Sequence, residues 1–319
     1  MNVYLSFDVE IWCNNWNELD ERFPSSFERY IYGRSRHGDY ALPETLATLL
    51  RHGLRGVFFV EPLFSARFGQ QYLQQIAHLI EAADQDVQLH LHPEWTDEIR
   101  PPIIADIASK RQHLSYYTLE EQTALIGFAK QALEGVASRP VTAFRAGSYA
   151  ANRDTYEALR RNGILVDSSL NEHMSISGAD LPRQTGFHST GQIGTVSSYP
   201  VTVFRDGFGR PRPAHLSACS FAELRGALLS AQRSGCEHFV IVSHNFELLK
   251  PASSEPDRIM VRRFERLCHF LAAHPREFKV GSYPSADAWQ AARVDEQRPQ
   301  VSPLATATRY AEQLARRLA

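Results

Sequence analysis

The sequence has few cysteines, almost no net charge and no long hydrophobic run. Its four cysteines among 319 residues are far apart and form no Cys-x-x-Cys pair, which argues against thiolate metal sites and disulfide frameworks. The 34 Lys and Arg against 36 Asp and Glu give a net charge of −2, so we expect no nucleic-acid partner. No segment approaches the ~20 consecutive apolar residues of a transmembrane helix.

The first ten residues, MNVYLSFDVE, also lack the uninterrupted apolar stretch of a signal peptide. Together with the cysteine usage, this predicts a cytoplasmic protein. The chain is 43% hydrophobic and 11% aromatic, which argues against disorder. A chain of this length buries roughly 75% of its extended surface and needs no metal or disulfide to fold. The composition is compatible with a homo-oligomer.

Short β-rich runs alternate with amphipathic helical patterns along the chain. The predicted strands are Asn2–Asp8, Arg55–Val60, Val87–His92, Val141–Arg145, Ile164–Asp167, His238–His244 and Phe278–Ser282. Thr118 with Glu121, and Ser220 with Glu223, have the spacing of capping boxes and predict two helix starts. The alternation predicts an α/β fold with a mainly parallel sheet, either a barrel or doubly wound.

Two segments interrupt this alternation. Residues 11–40 are long, aromatic and irregular, which indicates a functional loop, and residues 186–215 form a second insertion. We expect one domain over residues 1–290, followed by a linker and a short docking helix over 291–319.

Ionisable side chains stand at the ends of five predicted strands. They are Asp8 at the end of the first strand and Glu10 just after it, His90 and His92 at the third, Arg145 at the fourth, Asp167 at the fifth and His244 at the sixth. The carboxyl ends of parallel strands share one rim, where active sites are built. The sequence therefore predicts one site at this rim.

Two of these groups have a spacing that suits a metal ion. Side chains at i and i+2 of a strand face the same way, so His90 and His92 can bind one ion, or they are two histidines at a wet strand end. If the chain curls after His90, Glu94 can replace His92 as a ligand. At Asp8-Val9-Glu10, a metal would neutralise one carboxylate and leave the other as a base; the alternative is an acid that caps a neighbouring amide.

The remaining three residues each allow a catalytic and a structural interpretation. Arg145 can pair with a catalytic carboxylate or form an ordinary ion pair. His244 suits a proton donor near neutral pH, although a single strand-end histidine is often structural. Asp167 can orient a histidine or the arginine, or it can cap a turn.

The motifs taken in order resemble those of a known enzyme family. They are Ser6–Glu10, Val87–Trp95, Phe144–Tyr149, Val166–Ser169 and Ser243–Glu247. Residues 1 to about 290 resemble polysaccharide deacetylases of the NodB-homology type (carbohydrate esterase family 4), and within them a divergent branch associated with bacterial lipopolysaccharide and other surface-glycan clusters. The resemblance implies a distorted (β/α)7 barrel.

The resemblance also implies a divalent metal, usually zinc, bound by one carboxylate and two histidines. On this chain these are Glu10, His90 and His92. The usual motif has adjacent aspartates, and its second histidine comes four residues after the first. Glu94 stands at that position here and is the alternative third ligand.

By the same resemblance, Asp8 is the catalytic base, Arg145 orients it and His244 is the general acid. A backbone amide near Ser148 or Tyr149 would bind the oxyanion and the substrate. The family's arginine motif places an aromatic residue where this chain has Ser148, one residue before Tyr149.

The implied reaction is hydrolysis of an N- or O-acetyl group on a sugar. A cytoplasmic location favours a glycan precursor, nucleotide-linked or carried on a lipid, as in lipopolysaccharide biosynthesis. Two alternatives stay open. The chain could be a deformylase or amidase that acts on another C–N bond, or a catalytically inactive carbohydrate-binding protein that has lost the metal.

Overall fold

The backbone of the computed structural model forms a curled β-sheet with helices between its strands. The structure describes residues 1–284 and 298–318, apart from residues 175, 179 and 182–189. Parts of the predicted second insertion and most of the predicted linker therefore lie outside the described residues.

The elements are named in chain order. The strands are β1 (Asn2–Val9), β2 (Arg34–Ser35), β3 (Gly38–Asp39), β4 (Val57–Val60), β5 (Asp86–Leu91), β6 (Ala143–Ala146), β7 (Val166–Asp167), β8 (Gly191–Ile193), β9 (Val196–Ser198), β10 (Val203–Arg205), β11 (Pro211–Pro213), β12 (His238–His244) and β13 (Lys279–Val280). The helices are α1 (Leu19–Phe27), α2 (Leu42–Arg51), α3 (Ser65–Phe68), α4 (Gln70–Ala82), α5 (Leu119–Glu134), α6 (Arg153–Arg161), α7 (Phe221–Arg233), α8 (Arg258–Ala273) and α9 (Pro303–Leu318).

The main sheet is largely parallel. Its strand order is β12-β1-β4-β5-β6-β7-β9-β8, with β13 also paired to β1; within the described ranges, β8 and β9 form its one antiparallel pair. A strand overlaps each of the seven predicted strand segments. The predicted distorted (β/α)7 barrel fold is confirmed.

The alternation of side chains along β1 explains how the sheet sorts its residues. Val3, Leu5 and Phe7 belong to the main core cluster, while Tyr4 belongs to a second cluster with residues of β4, β6, β7 and β12. Because side chains alternate between the faces of a strand, Asp8 shares the face of Tyr4. The first predicted strand thus delivers a carboxylate to the carboxyl end of the sheet.

The predicted capping boxes at Thr118 and Ser220 are both present and begin α5 and α7. The irregular loop expected over residues 11–40 is only partly correct. It contains α1, whose Phe23 and Phe27 are buried against aromatic side chains of α3 and α4. Tertiary packing, which a local pattern does not reveal, holds this helix.

The C-terminal helix α9 packs on α7 through a buried ion-pair network. Arg309, only 3% exposed, contacts Glu223 at 3.0 Å and Asp206 at 3.2 Å. Thr306 donates a second hydrogen bond to Glu223 at 3.0 Å. Arg309 therefore compensates two buried carboxylates at once. None of the helices in the described ranges has the length and hydropathy to cross a membrane.

We predict that Arg309→Ala lowers the free energy of unfolding by about 3–5 kcal/mol, because it leaves Glu223 and Asp206 buried without their cation. Urea denaturation measures this change. Arg317→Ala, at an exposed position of the same helix, is the control and should change stability by less than about 0.5 kcal/mol. Equal effects of the two substitutions would contradict the prediction.

Candidate functional site

One part of the site is a buried ion pair between β1 and β6. Nη1 of Arg145 lies 2.7 Å from Oδ1 of Asp8, and both residues are buried. Nη2 of Arg145 donates to the hydroxyls of Ser6 and Ser168 at 2.8 and 2.9 Å. Desolvation opposes the charge of this guanidinium, but the charge of Asp8 raises the pKa of Arg145 above its ordinary value. The aspartate carboxylate is thereby fixed in one orientation.

Beside this pair, one oxygen of Glu10 lies between two imidazoles. Its Oε1 is 2.8 Å from Nε2 of His90 and 2.9 Å from Nε2 of His92, and all three residues are buried. Burial alone would raise the pKa of Glu10, but the charge of His92 and hydrogen bonds from His90 and His92 lower it well below its usual range. The structure thus brings together three groups that the sequence singled out.

The other ring nitrogens show why this cluster suits a cation. Nδ1 of His90 lies 2.8 Å from the carbonyl oxygen of Arg145, which can only accept a hydrogen bond. When the Nε2 proton that His90 donates to Glu10 is lost, the ring keeps its other proton on Nδ1 and turns a lone pair on Nε2 toward the carboxylate of Glu10. Two nitrogen lone pairs and a carboxylate oxygen form a ligand set typical of zinc, so the residues present fit the implied metal.

Glu94 occupies a different place from His92. Its Oε2 lies 3.2 Å from Nδ1 of His92, on the side of the ring opposite Glu10. A carboxylate there fixes the orientation of an imidazole whose Nε2 faces the cluster. The chain does not curl in a way that brings Glu94 into the group formed by Glu10, His90 and His92.

Gly147 allows His92 to take this position. A Cβ at residue 147 would lie 2.8 Å from Cε1 and Nδ1 of the His92 ring. The ring is held between Glu10 and Glu94 and cannot move away freely. The absence of a side chain at this point is therefore a requirement of the cluster.

His244 ends β12 and lies between the carboxylates of Glu10 and Glu247. Its Nε2 is 4.0 Å from Oε1 of Glu10, and its Nδ1 is 3.0 Å from Oε1 of Glu247. Burial would lower the pKa of His244, but the hydrogen bond to Glu247 and the charges of Glu10, Glu247 and Asp8 raise it to about 9. Burial would raise the pKa of Glu247, but the charges of His215 and His244 lower it to about 2. The pair is an imidazolium and a carboxylate.

The structure does not place Asp167 against His244 or in a hydrogen bond to Arg145. Its carboxylate accepts hydrogen bonds from the hydroxyls of Tyr156 and Ser169, and burial raises its pKa. Asp167 ends β7, which is four positions from β1 and five from β12 in the strand order, and its side chain meets Tyr156 on α6. Among the described hydrogen bonds, Asp167 makes none to the histidine or to the arginine, and Glu247 holds the histidine.

Ser148 and Tyr149 follow β6 in an unusual backbone conformation. Both have positive φ angles, 53° and 58°, in the left-handed region that side chains disfavour. Such strain typically costs about 1–3 kcal/mol per residue and clusters at functional sites. Burial and then the negative charge of Asp8 raise the pKa of Tyr149, so its hydroxyl stays neutral beside the site.

Glu247 and Trp12 are the functional candidates that sequence reasoning missed. The indole of Trp12 donates to Oε2 of Glu10 at 2.9 Å, while the residue stays 42% exposed. Trp12 and Trp16 line a cavity of about 420 Å3 that also reaches Glu10 and His92. The aromatic content of residues 11–40 indicated a functional loop, but no motif singled out Trp12. Glu247 follows His244 by three residues, a spacing that could have suggested a pair.

We predict that Gly147→Ala weakens the affinity of the Glu10–His90–His92 cluster for zinc at least ~10-fold, because the new methyl group displaces His92. Zinc titration against a chelating dye measures the change. Gly281→Ala is the control, since a Cβ there meets no atom within 4 Å. Unchanged affinity in Gly147→Ala would show that the ring position is not required.

We predict that the imidazole of His244 in the metal-free protein titrates near pH 9, and that Glu247→Gln moves this pKa down toward the ordinary value of about 6.5. The raised pKa means that the pair stabilises the fold fully below the unfolded value and that this stability is lost as pH rises through about 9. Histidine resonances in NMR spectra report the titration. Glu120→Gln, at an exposed position, should leave it unchanged.

Comparison with known proteins gives structural relatives only. No family model matches the chain, and no curated protein matches its sequence. A solved structure of a candidate polysaccharide deacetylase from Mycobacterium smegmatis has a TM-score of 0.55 and 18% identity, covering 88% of this chain and 86% of that one. A family 4 carbohydrate esterase from Streptomyces lividans has a TM-score of 0.43 and 15% identity, over 93% and 98% of the two chains.

At such low identity the similarity shows only the fold, and the evidence for it is the Mycobacterium smegmatis structure. The resemblance seen in the ordered sequence motifs is thus matched by a resemblance in three dimensions. The chain has the (β/α)7 fold found in polysaccharide deacetylases.

Proposed function

We propose that this chain is a divalent-metal-dependent hydrolase that removes an acetyl group from a sugar. One observation carries the proposal: three functional units meet at one end of the sheet. They are the Asp8–Arg145 ion pair, the Glu10–His90–His92 cluster and the His244–Glu247 pair. A base, a metal site and a proton donor are the parts that metal-assisted hydrolysis needs.

Glu10, His90 and His92 would hold the metal, with zinc as the expected ion because the donor set is two imidazoles and one carboxylate. Glu94 would orient His92 from its other nitrogen rather than replace it. When bound, the ion supplies polarisation of the acetyl carbonyl and a lower pKa for a water molecule. Trp12 would hold the second oxygen of Glu10.

Asp8 is the proposed general base. Arg145 binds its Oδ1 at 2.7 Å, which orients the carboxylate and leaves the second oxygen to accept a proton from the attacking water. The two serine hydroxyls on Nη2 keep the guanidinium from rotating. The base therefore stays in place while it takes the proton.

His244 is the proposed general acid, and the backbone after Gly147 is the proposed oxyanion site. Glu247 keeps His244 protonated, so the imidazolium can donate its Nε2 proton to the leaving amine or alcohol. The left-handed turn at Ser148 and Tyr149 would direct a backbone N–H at the negative oxygen of the tetrahedral intermediate.

A sugar substrate is supported by the aromatic surface beside the metal cluster. Trp12 and Trp16 are 42% and 37% exposed, and they offer apolar ring faces next to polar groups. We propose an N-acetyl sugar within a glycan precursor, linked to a nucleotide or a lipid carrier, in a cytoplasmic step such as lipopolysaccharide biosynthesis.

The test uses purified chain stripped of metal by a chelator and reloaded with zinc. Acetate release is measured on N-acetylhexosamines that are free, oligomeric, nucleotide-linked or lipid-linked. Zinc-dependent acetate release supports the proposal. Formate release from N-formyl sugars alone would favour a deformylase. Failure to bind zinc, with sugar binding but no turnover, would favour a carbohydrate-binding protein; either outcome overturns the deacetylase.

We predict that Asp8→Asn and His244→Gln each lower kcat by about 10²–10⁴, because each removes a proton-transfer group. Both variants should keep zinc at Glu10, His90 and His92. Steady-state kinetics together with elemental analysis separate these effects. The control is His78→Gln, at an exposed position of α4, which should match wild type. A His244→Gln variant with wild-type kcat would remove His244 from the mechanism.

A further inference from the structure

A second imidazole–carboxylate cluster adjoins the proposed active site. It consists of His215, His244 and Glu247, whose ligand atoms lie within 4.8 Å of one another. His215 reaches it because its backbone bridges to Val242 on β12. The mechanism proposed above uses His244 and Glu247 but gives no task to His215.

The distances within this cluster match those of a metal site. Oε1 of Glu247 lies 3.0 Å from Nδ1 of His244 and 3.5 Å from Nε2 of His215. In a tetrahedral zinc site with bonds of 2.0–2.1 Å, neighbouring ligand atoms are about 3.3 Å apart. The two observed distances bracket this value, so an ion could enter with small side-chain movements.

The hydrogen bonds of Ser217 determine which ring nitrogen of a neutral His215 carries the proton. The hydroxyl of Ser217 donates its proton to Oε1 of Glu247 at 2.9 Å. Its oxygen, 3.0 Å from Nδ1 of His215, must therefore accept a hydrogen bond from that nitrogen. A neutral His215 then points the lone pair of Nε2 at the carboxylate of Glu247, and the two repel each other. A cation between them would remove this repulsion.

The cluster is also accessible. The side chains of His215, His244 and Glu247 are 17%, 26% and 9% exposed. A cavity of about 370 Å3 is lined by Ser217 and Glu247 among others and shares no lining residue with the tryptophan-lined cavity. An ion could arrive there without passing Glu10.

We propose that His215, His244 and Glu247 form a second divalent-metal site, and that an ion bound there inhibits the hydrolase. Binding displaces the Nδ1 proton of His244 into solvent and forms a metal–nitrogen bond in its place. His244 then keeps only its Nε2 proton and is no longer an imidazolium, so it is a poor general acid. The inhibition rests on the proposed function, whereas the metal site itself does not.

The binding test uses Co²⁺, whose visible absorption reports its ligands, together with elemental analysis. We expect two ions per wild-type chain and one in His215→Gln, with the spectrum of the second site missing. His78→Gln, the matched histidine control, should still bind two. The ion that remains in His215→Gln shows that the variant is folded.

A reciprocal variant keeps this test decisive. Glu10→Gln should lose the ion of the first cluster and keep the one at His215. Equal numbers of Co²⁺ ions in wild type and in His215→Gln would overturn the second site, whatever the first cluster binds.

The activity test measures acetate release as zinc is raised beyond one equivalent. We expect wild type to lose activity in excess zinc, and His215→Gln to need at least ~10-fold more zinc for the same loss. Equal inhibition of the two proteins would overturn the inhibitory role. If the chain releases no acetate at all, the proposed function fails, while the ion count still decides whether the second site exists.

Discussion

The buried guanidinium of Arg145 is the interaction on which the site depends. It lies fully inside the sheet and contacts Asp8 and Ser6 on β1, Ser168 after β7 and the ring of Phe59 on β4. A buried cation is costly unless its partners satisfy it. Arg145 lies on β6, and each of these contacts comes from another strand or from the residues that directly follow one. The carboxylate of Asp8, the proposed base, is therefore positioned by the same contacts that hold the strands in register.

The backbone of Arg145 extends this control to the metal cluster. Its carbonyl oxygen fixes the ring of His90, so the proposed base and the proposed metal ligand share one anchor. The next residue on β6 is fixed in turn, because the amide of Ala146 donates to Ser169 at 2.9 Å and Asp167 holds that serine. Asp167 thus acts on the site through β6. This gives a structural role to a buried acid that contacts no imidazole.

Much of this arrangement could be predicted from the sequence. Local apolar patterns predict the strand that carries Asp8, and the alternation of side chains predicts the i and i+2 pairs. The geometry of parallel sheets predicts that these residues share one rim. For the partner of His244, strand-end position alone points to Asp167, which the strand order places far from β12, whereas the i, i+3 spacing of Glu247 in the turn after β12 is the signal that identifies it. By contrast, His215 lies in a segment without regular structure, and only tertiary packing brings it to β12.

His244 lies between two carboxylates, and this position sets its acidity. Its Nδ1 faces Glu247 at 3.0 Å, while its Nε2 is 4.0 Å from Glu10. Both charges contribute to a pKa of about 9, which is high for an acid that must release its proton near neutral pH. When the charge of Glu10 is balanced by a cation held with His90 and His92, one of the two attractions weakens and the pKa of His244 falls toward its ordinary range. In the proposed mechanism, the first cluster would thus bring the pKa of the proton donor closer to neutral pH as well as hold the metal.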